Sequence, residues 1–234
     1  MNEQKRIGII GAMDCEVDPL IAQMEHAQTL TVGSIRFTQG TLCGKNTVIA
    51  RCGIGKVFAA MCAQTMILHF GVSAIVNVGV AGSLCDGLRI GDIAVATKTV
   101  QHDMDTTALG DPPGLISGIN VVKIKCDEKL AGLISKVAEK GGYKHYEGTI
   151  ASGDCFIAND LKKKYIVDTF GAIACEMEGA AIGQVCYVNG IPFAVIRAIS
   201  DDADGNAHEN YPQFVKESAE KSVNVLLKVI NSLG

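Results

Sequence analysis

The sequence predicts an α/β fold, one unit over residues 1–234 with three layers, α/β/α, around a central mixed β-sheet. Three observations carry that expectation. Runs rich in β-branched residues recur at Ile7–Ile10, Thr47–Ala50, Ala74–Val78, Ile93–Ala96, Thr149–Ala151 and Phe193–Ala198, several of them apolar without alternation, as strands covered on both faces are. Between them lie stretches of helical period, Glu16–His26, Lys56–Phe70, Asp127–Gly141, Met177–Asn189 and Phe214–Ser232. This alternation favours an α/β sheet over a β-sandwich. Finally, the segments 33–41 and 45–51 are joined by Cys43-Gly44 and read as a hairpin, which makes the sheet mixed rather than wholly parallel.

Composition narrows the class of partner. At 48% hydrophobic, 234 residues can build a sizeable core, and no linker, repeat or low-complexity tract divides them. A formal net charge of −4 offers no broad cationic surface for phosphate backbones or anionic lipid, so a small molecule is expected and nucleic acid and membrane are not. The nine cysteines are an odd number with no C-x-x-C pair, a pattern of reduced, buried thiols in a cytoplasmic protein rather than of a disulfide framework or zinc site. The apolar run after Arg6 is too short for a signal-peptide core or a membrane span.

In open α/β sheets ligands gather beyond the carboxyl ends of strands. There Gly79-Val80-Ala81-Gly82-Ser83 reads as a strand exit whose small residues admit a ligand close to backbone amides, or simply as a tight turn. Gly53-Ile54-Gly55-Lys56 has neither the Walker spacing nor a full dinucleotide fingerprint, which weighs against kinase, NTPase and dehydrogenase chemistry. Glu176-Met177-Glu178 lies where a strand hands over to a helix. Its carboxylates could cap the helix, or one could accept hydrogen bonds from two vicinal ribose hydroxyls, with Met177 against the sugar or in the core. Asp201 follows the apolar run 193–199 and Ser200, and partial burial near Asp202 and Asp204 would raise its pKa toward that of a useful acid. The bland alternatives are a turn or an acidic metal loop. These aspartates lack the calcium-loop pattern, and His102-Asp103-Met104-Asp105 offers a single good nitrogen ligand, so neither a metal nor any other cofactor is expected.

Taken in order, Ile7-Gly8-Ile9-Ile10-Gly11-Ala12-Met13 with Glu16, Ser152-Gly153-Asp154-Cys155-Phe156-Ile157, Glu176-Met177-Glu178 and Arg197-Ala198-Ile199-Ser200-Asp201 resemble the nucleosidases that hydrolyse 5′-methylthioadenosine and S-adenosylhomocysteine. These lie within the wider purine nucleoside phosphorylase superfamily, and the resemblance runs nearly end to end. It implies a purine nucleoside phosphorylase-like fold and cleavage of the N-glycosidic bond of a 5′-modified adenosine, with 5′-deoxyadenosine and aminodeoxyfutalosine as further members of the substrate class. On this resemblance Glu16 is the base for the attacking water and Asp201 the acid that protonates N7 of adenine, oriented by Ser200. Glu178 holds the ribose hydroxyls, Met177 packs on the sugar, and Arg197 orders the water and Glu16. Phe156 stacks on the purine, backbone groups at Ile157 read its Watson–Crick edge, and Tyr211 borders the 5′ group. Met13, Ile54, Val80 and Glu176 complete the expected lining.

Two positions depart from the pattern. Val80 stands where relatives often carry serine, which removes one hydroxyl contact worth about 0.5–1.5 kcal/mol. Leu109 stands where an aromatic of the neighbouring subunit of a homodimer often lines the 5′ pocket. Two rivals share the fold: a purine nucleoside phosphorylase, against which Glu16 argues because a carboxylate repels phosphate, and a nucleoside-binding protein without chemistry, whose mark would be a lost acid or base.

Overall fold

The computed structural model describes residues 5–204 and 206–233. In chain order, β1 (Ile7–Gly11) leads through α1 (Asp14–Ile21) to β2 (Glu25–Val32), β3 (Ile35–Leu42) and β4 (Lys45–Arg51). Next come α2 (Lys56–Phe70), β5 (Ala74–Ser83), β6 (Ile93–Gln101), one 3-10 turn at Thr107–Leu109, and β7 (Lys123–Lys125). The remainder is α3 (Glu128–Lys140), β8 (His145–Ser152), α4 (Asp160–Phe170), β9 (Ala172–Glu176), α5 (Gly179–Asn189), β10 (Phe193–Asp201) and α6 (Ala207–Ser232).

All ten strands join one mixed sheet. Successive side chains in β1 and β4 point to opposite faces, so Ile10, Val48 and Ala50 pack with α2 and α5 residues such as Cys62, Met66 and Ile182, while Ile9 and Ile49 pack with α1, α3 and α6 residues such as Leu20, Ile134 and Leu226. Two apolar cores therefore sandwich the sheet, as the three-layer expectation requires. Among the described residues no helix is long and apolar enough to cross a membrane.

The sheet is not simply open. β5 pairs in parallel with β1 over 74–77 and with β10 along most of its length, and its last residues, Gly82 and Ser83, pair antiparallel with β9. Since β10 continues to β6, β6 to β8 and β8 to β9, five strands close into a ring and β1, β4, β3 and β2 extend from it. Gly79–Ser83, read from sequence as a strand exit, is thus the branching end of β5. Opposite it, β10 bulges between Ile199 and Asp201, and such an extra residue re-aims the side chains that follow.

Other boundaries differ for local reasons. The helix expected over 16–26 stops at Ile21. Pro19 supplies no N–H, and the 3-10-type bonds Gln23 N–H to Leu20 O and Met24 N–H to Ile21 O tighten the end. Residues 25–32 then form β2, an edge strand exposed nearly throughout, and so without the apolar alternation that would announce it. The last helix begins at Ala207 rather than Phe214 and contains Pro212, while α5 begins at Gly179 rather than Met177. The hairpin of β3 and β4 forms as expected, with Cys43 (φ 50°) and Gly44 (φ 73°) at its tip. All nine cysteines are free, five of them buried.

Two helical glycines separate packing from propensity. A Cβ at Gly183 in α5 would lie 2.8 Å from the Phe193 ring and from Thr99 Oγ1, whereas one at Gly132 in α3 would meet nothing. Gly183→Ala is expected to destabilise by about 1–3 kcal/mol through overpacking, and Gly132→Ala to stabilise by about 0.5–1 kcal/mol through helix propensity. Urea unfolding of both variants checks the opposite signs.

Candidate functional site

A cavity of about 410 Å³ opens where β5 branches. Glu16, one turn into α1, is 2% exposed and sends its carboxylate back toward the strand it followed. Its Oε2 accepts hydrogen bonds from Ala12 N (2.7 Å) and Met13 N (2.9 Å), and its Oε1 accepts one from Val80 N (3.1 Å). The same group therefore serves as the N-terminal helix cap and as a lining group of the cavity. Gly79 makes this approach possible, because a Cβ there would sit 2.9 Å from Glu16 Cδ. Burial raises the Glu16 pKa, opposed by the Arg197 charge and the three amide donors.

Three residues farther along β5, Gly82 plays the same part for Asp201, whose Oδ1 would lie 2.7 Å from a Cβ at Gly82. Asp201 is 2% exposed. It accepts from Ala203 N at 2.9 Å, across a turn with Ala203 at φ 51°, and from Ser200 Oγ at 2.9 Å. Burial, helped by Asp202 and Asp204, raises its pKa against those two donors.

Glu178 and Glu176 divide the roles that the sequence left open. Glu176 is engaged within the protein: its carboxylate takes the Ser152 hydroxyl and an Arg197 Nη2–H, along with Glu178 N (3.2 Å) and Gly179 N (2.7 Å) at the start of α5. It lines the cavity but acts as the cap and the ion-pair partner. Among the described residues Glu178 Oε1 accepts from Gly55 N alone, at 2.8 Å, and Glu178 lines the cavity. Burial first, then the neighbouring Glu176, push its pKa well above the ordinary carboxylate range.

Arg197 does not line the cavity. It is 1% exposed and lies behind the site, bonded to Glu176, to Asn77 Oδ1 and, through Nη1, to Ile196 O at 3.0 Å. It acts on Glu16 by charge, from behind the wall rather than as one of the substrate-binding lining residues expected from sequence. Asn77 in turn donates to Ile10 O at 2.9 Å.

The remaining wall is apolar. Met13, Ile54, Val80, Phe156, Met177 and Tyr211 line it with Ser200. The Phe156 and Tyr211 rings meet edge to face with centroids 5.5 Å apart, and the Tyr211 hydroxyl lies 3.1 Å from Met13 Sδ. Val80 contributes its backbone amide whatever its side chain, so the missing hydroxyl leaves the Glu16 clamp intact. The Ile157 side chain packs in the core, and the residue lines a small hollow of about 30 Å³ that shares Phe156, Glu176, Met177 and Asp201 with the cavity. Leu109 is 82% exposed on the 3-10 turn and also stands off the wall. His208, near the start of α6, is a lining residue that sequence reasoning passed over, since a histidine on an exposed polar helix start carries no local signal.

Loops tie the parts together. Lys56 N donates to Asp154 Oδ1 (2.7 Å), Lys56 Nζ reaches Asp103 at 2.7 Å, and Asp154 N donates to Asp103 Oδ2 at 2.9 Å. Among the described residues no group of three or more His, Cys, Asp or Glu side chains converges as a metal site would require.

Comparison with known proteins gives the family and the fold. Residues 6–231 match the phosphorylase superfamily. A 5′-methylthioadenosine/S-adenosylhomocysteine nucleosidase of Shewanella halifaxensis is 36% identical over 229 residues, covering 97% of this chain and 100% of that one. Among solved structures, the nucleosidase of the same description from Neisseria meningitidis, bound to methylthio-immucillin-A, superposes with a TM-score of 0.95 at 35% identity, covering 98% and 100% of the two chains. The futalosine hydrolase of Helicobacter pylori superposes with a TM-score of 0.95 at 36% identity, covering 100% of both. The chain belongs to the phosphorylase superfamily and, within it, to the family of 5′-methylthioadenosine/S-adenosylhomocysteine nucleosidases.

Proposed function

We propose that this chain hydrolyses the N-glycosidic bond of 5′-modified adenosines, releasing adenine and the 5′-substituted ribose. The observation that carries this reading is the pair of buried carboxylates, Glu16 and Asp201, on one cavity. Their contact points on β5, Gly79 and Gly82, are three residues apart, or about 10 Å along a strand. An inverting hydrolysis uses two carboxyl groups in this way, on opposite sides of the bond that is cut. Glu16, held by three amide donors, accepts a proton from water as it attacks the anomeric carbon. Asp201, its pKa raised by burial, gives a proton to N7 of the departing adenine. Glu178 takes the ribose hydroxyls, Met177 packs on the sugar, and Phe156 stacks on the purine.

Charge distinguishes hydrolysis from phosphorolysis. The described residues of the wall include Glu16, Glu176, Glu178 and Asp201 and no lysine or arginine. A phosphate nucleophile would find no cationic side chain on that wall to bind it and would face the Glu16 carboxylate. Adenine released from 5′-methylthioadenosine in phosphate-free buffer supports the reading, and a product that requires phosphate and contains ribose 1-phosphate overturns it. Assayed the same way, 5′-deoxyadenosine and aminodeoxyfutalosine report the 5′ preference.

We also assign the active form as a homodimer. Ile54, Val57, Phe58, Met61 and Leu68 are exposed apolar residues on and beside α2, a contiguous face that water disfavours. Leu109 then belongs to the loop that approaches the neighbour's 5′ pocket. Sedimentation is expected to give twice the 24.6 kDa chain mass, and a monomer at assay concentration refutes this.

Glu16→Gln and Asp201→Asn should each lower turnover by at least ~100-fold while substrate still binds. Full activity in either variant removes that residue from the chemistry. A third expectation concerns pH. Because the folded pKa of Glu178 lies above its unfolded value, its protonated form favours the fold at low pH, and that stability is lost as pH rises through the folded pKa. Glu178→Gln, which keeps an acceptor for Gly55 N, should therefore melt increasingly above the parent as pH rises from about 5. A Tm difference that is flat with pH counts against the raised pKa.

A further inference from the structure

We propose that Asp103 is a positioning residue for the purine: by bridging Lys56 and Asp154 it fixes the loop that presents Phe156 to the cavity. This rests on the nucleoside-hydrolase reading, in which Phe156 stacks on adenine, and adds to it a residue that touches no substrate. The described residues of the wall include Ile54 and Phe156 and none of Lys56, Asp103 and Asp154.

Residues 153–159, between β8 and α4, form neither helix nor strand, so no regular backbone ladder places Phe156. Bonds to side chains take over that task. Asp154 N donates to Asp103 Oδ2 (2.9 Å), Asp103 Oδ1 takes the Lys56 ammonium (2.7 Å), and Lys56 N donates to Asp154 Oδ1 (2.7 Å). The three bonds close a ring through the loops that follow β4, β6 and β8. Each has an ionised group on at least one side, which makes it shorter and stronger than a neutral bond. The Lys56 and Asp103 side chains are 18% and 28% exposed, so water and salt screen them less than a surface pair. Burial works against the Asp103 charge, but the bonds to Lys56 and Asp154 outweigh it and hold its pKa below the ordinary value.

The ring is tied to both ends of the site. Asp154 is two residues from Phe156, or about 7 Å of chain, so a loosened Asp154 lets the aromatic ring drift. On the other side, Gly55 N holds Glu178 while the next amide, Lys56 N, holds Asp154. The start of α2 thus serves the ribose carboxylate and the purine loop together. Gly55 keeps this approach open, since a Cβ there would lie 3.0 Å from Asp154 Oδ1. Lys56 Nζ is steadied in turn by Gln101 Oε1 at 3.1 Å, and Gln101 Nε2 donates to Gln184 Oε1 on α5 at 2.6 Å. Displacing a group by an ångström costs much of the benefit of orientation, which gives a residue outside the cavity its leverage.

The test is titration calorimetry with adenine on the full-length protein and on Asp103→Ala, Asp103→Asn, Phe156→Ala and the double variant Asp103→Ala/Phe156→Ala, each checked for folding by thermal melting. The adenine Kd is expected to rise about fivefold or more in Asp103→Ala, and by less in Asp103→Asn, whose amide oxygen still accepts from Asp154 N. The double variant should bind within about twofold of Phe156→Ala, because Asp103 acts through that ring. With 5′-methylthioadenosine, Asp103→Ala should raise KM and leave kcat nearly unchanged, whereas a mere loss of folded protein lowers kcat alone. An unchanged adenine Kd in the folded variant, or losses that add in the double variant, overturns the positioning role and leaves the hydrolase reading standing. If Asp103→Ala does not fold, the same cycle with Asp103→Asn decides by the same criteria. A parent that binds adenine and cleaves no 5′-modified adenosine sinks the hydrolase reading alone, and one that binds no adenine sinks both.

Discussion

The buried Arg197 guanidinium is the interaction on which the site depends. Taking a guanidinium out of water costs several kcal/mol, and this one is repaid by Glu176, Asn77 and a main-chain carbonyl. Its charge then acts on carboxylates it does not touch. Glu16 and Glu178 are both held against a stronger rise in pKa by Arg197. Three carboxylates buried this closely without a cation would have to take up protons or unfold the strand ends that carry them. Arg197 thus offsets the charge of an acidic, desolvated pocket.

Around that charge, the backbone of β5 is kept bare. Gly79 and Gly82 stand where Glu16 and Asp201 press against the strand, so neither carboxylate can be held as it is if β5 carries side chains there. The bulge in β10 and the branching of β5 place Asp201 over Gly82 instead of extending the strand past it. The chemistry and the topology are therefore one arrangement: a strand with three neighbours must shed side chains at its branching end, and that end is where carboxylates from α1 and β10 converge.

The site is also a store of unfavourable free energy. Glu178 has one amide donor among the described residues and lines the cavity, and burial, then Glu176 beside it, raise its pKa. On the proposed function, hydroxyl donors of a ribose would offset that cost, so binding would turn the penalty of burying Glu178 into affinity. Glu176, by contrast, is fully satisfied by the protein, which is why two carboxylates two residues apart have different fates.

Periodicity by itself determined the α/β class, the hairpin and most strand positions, because alternation and buried runs are local properties. The ordered motifs singled out Glu16, Glu178 and Asp201. Local pattern could not show that α1 stops at Ile21, that residues 25–32 pair as an exposed edge, or that Gly79–Ser83 continues β5, since partners distant in sequence decide each of these. Nor could it separate Glu176 from Glu178, or move Arg197 behind the wall. Those outcomes depend on which side chain meets a buried countercharge and which meets the cavity, a matter of three-dimensional burial. The residue types were written in the chain; their charges, partners and exposure came from the fold.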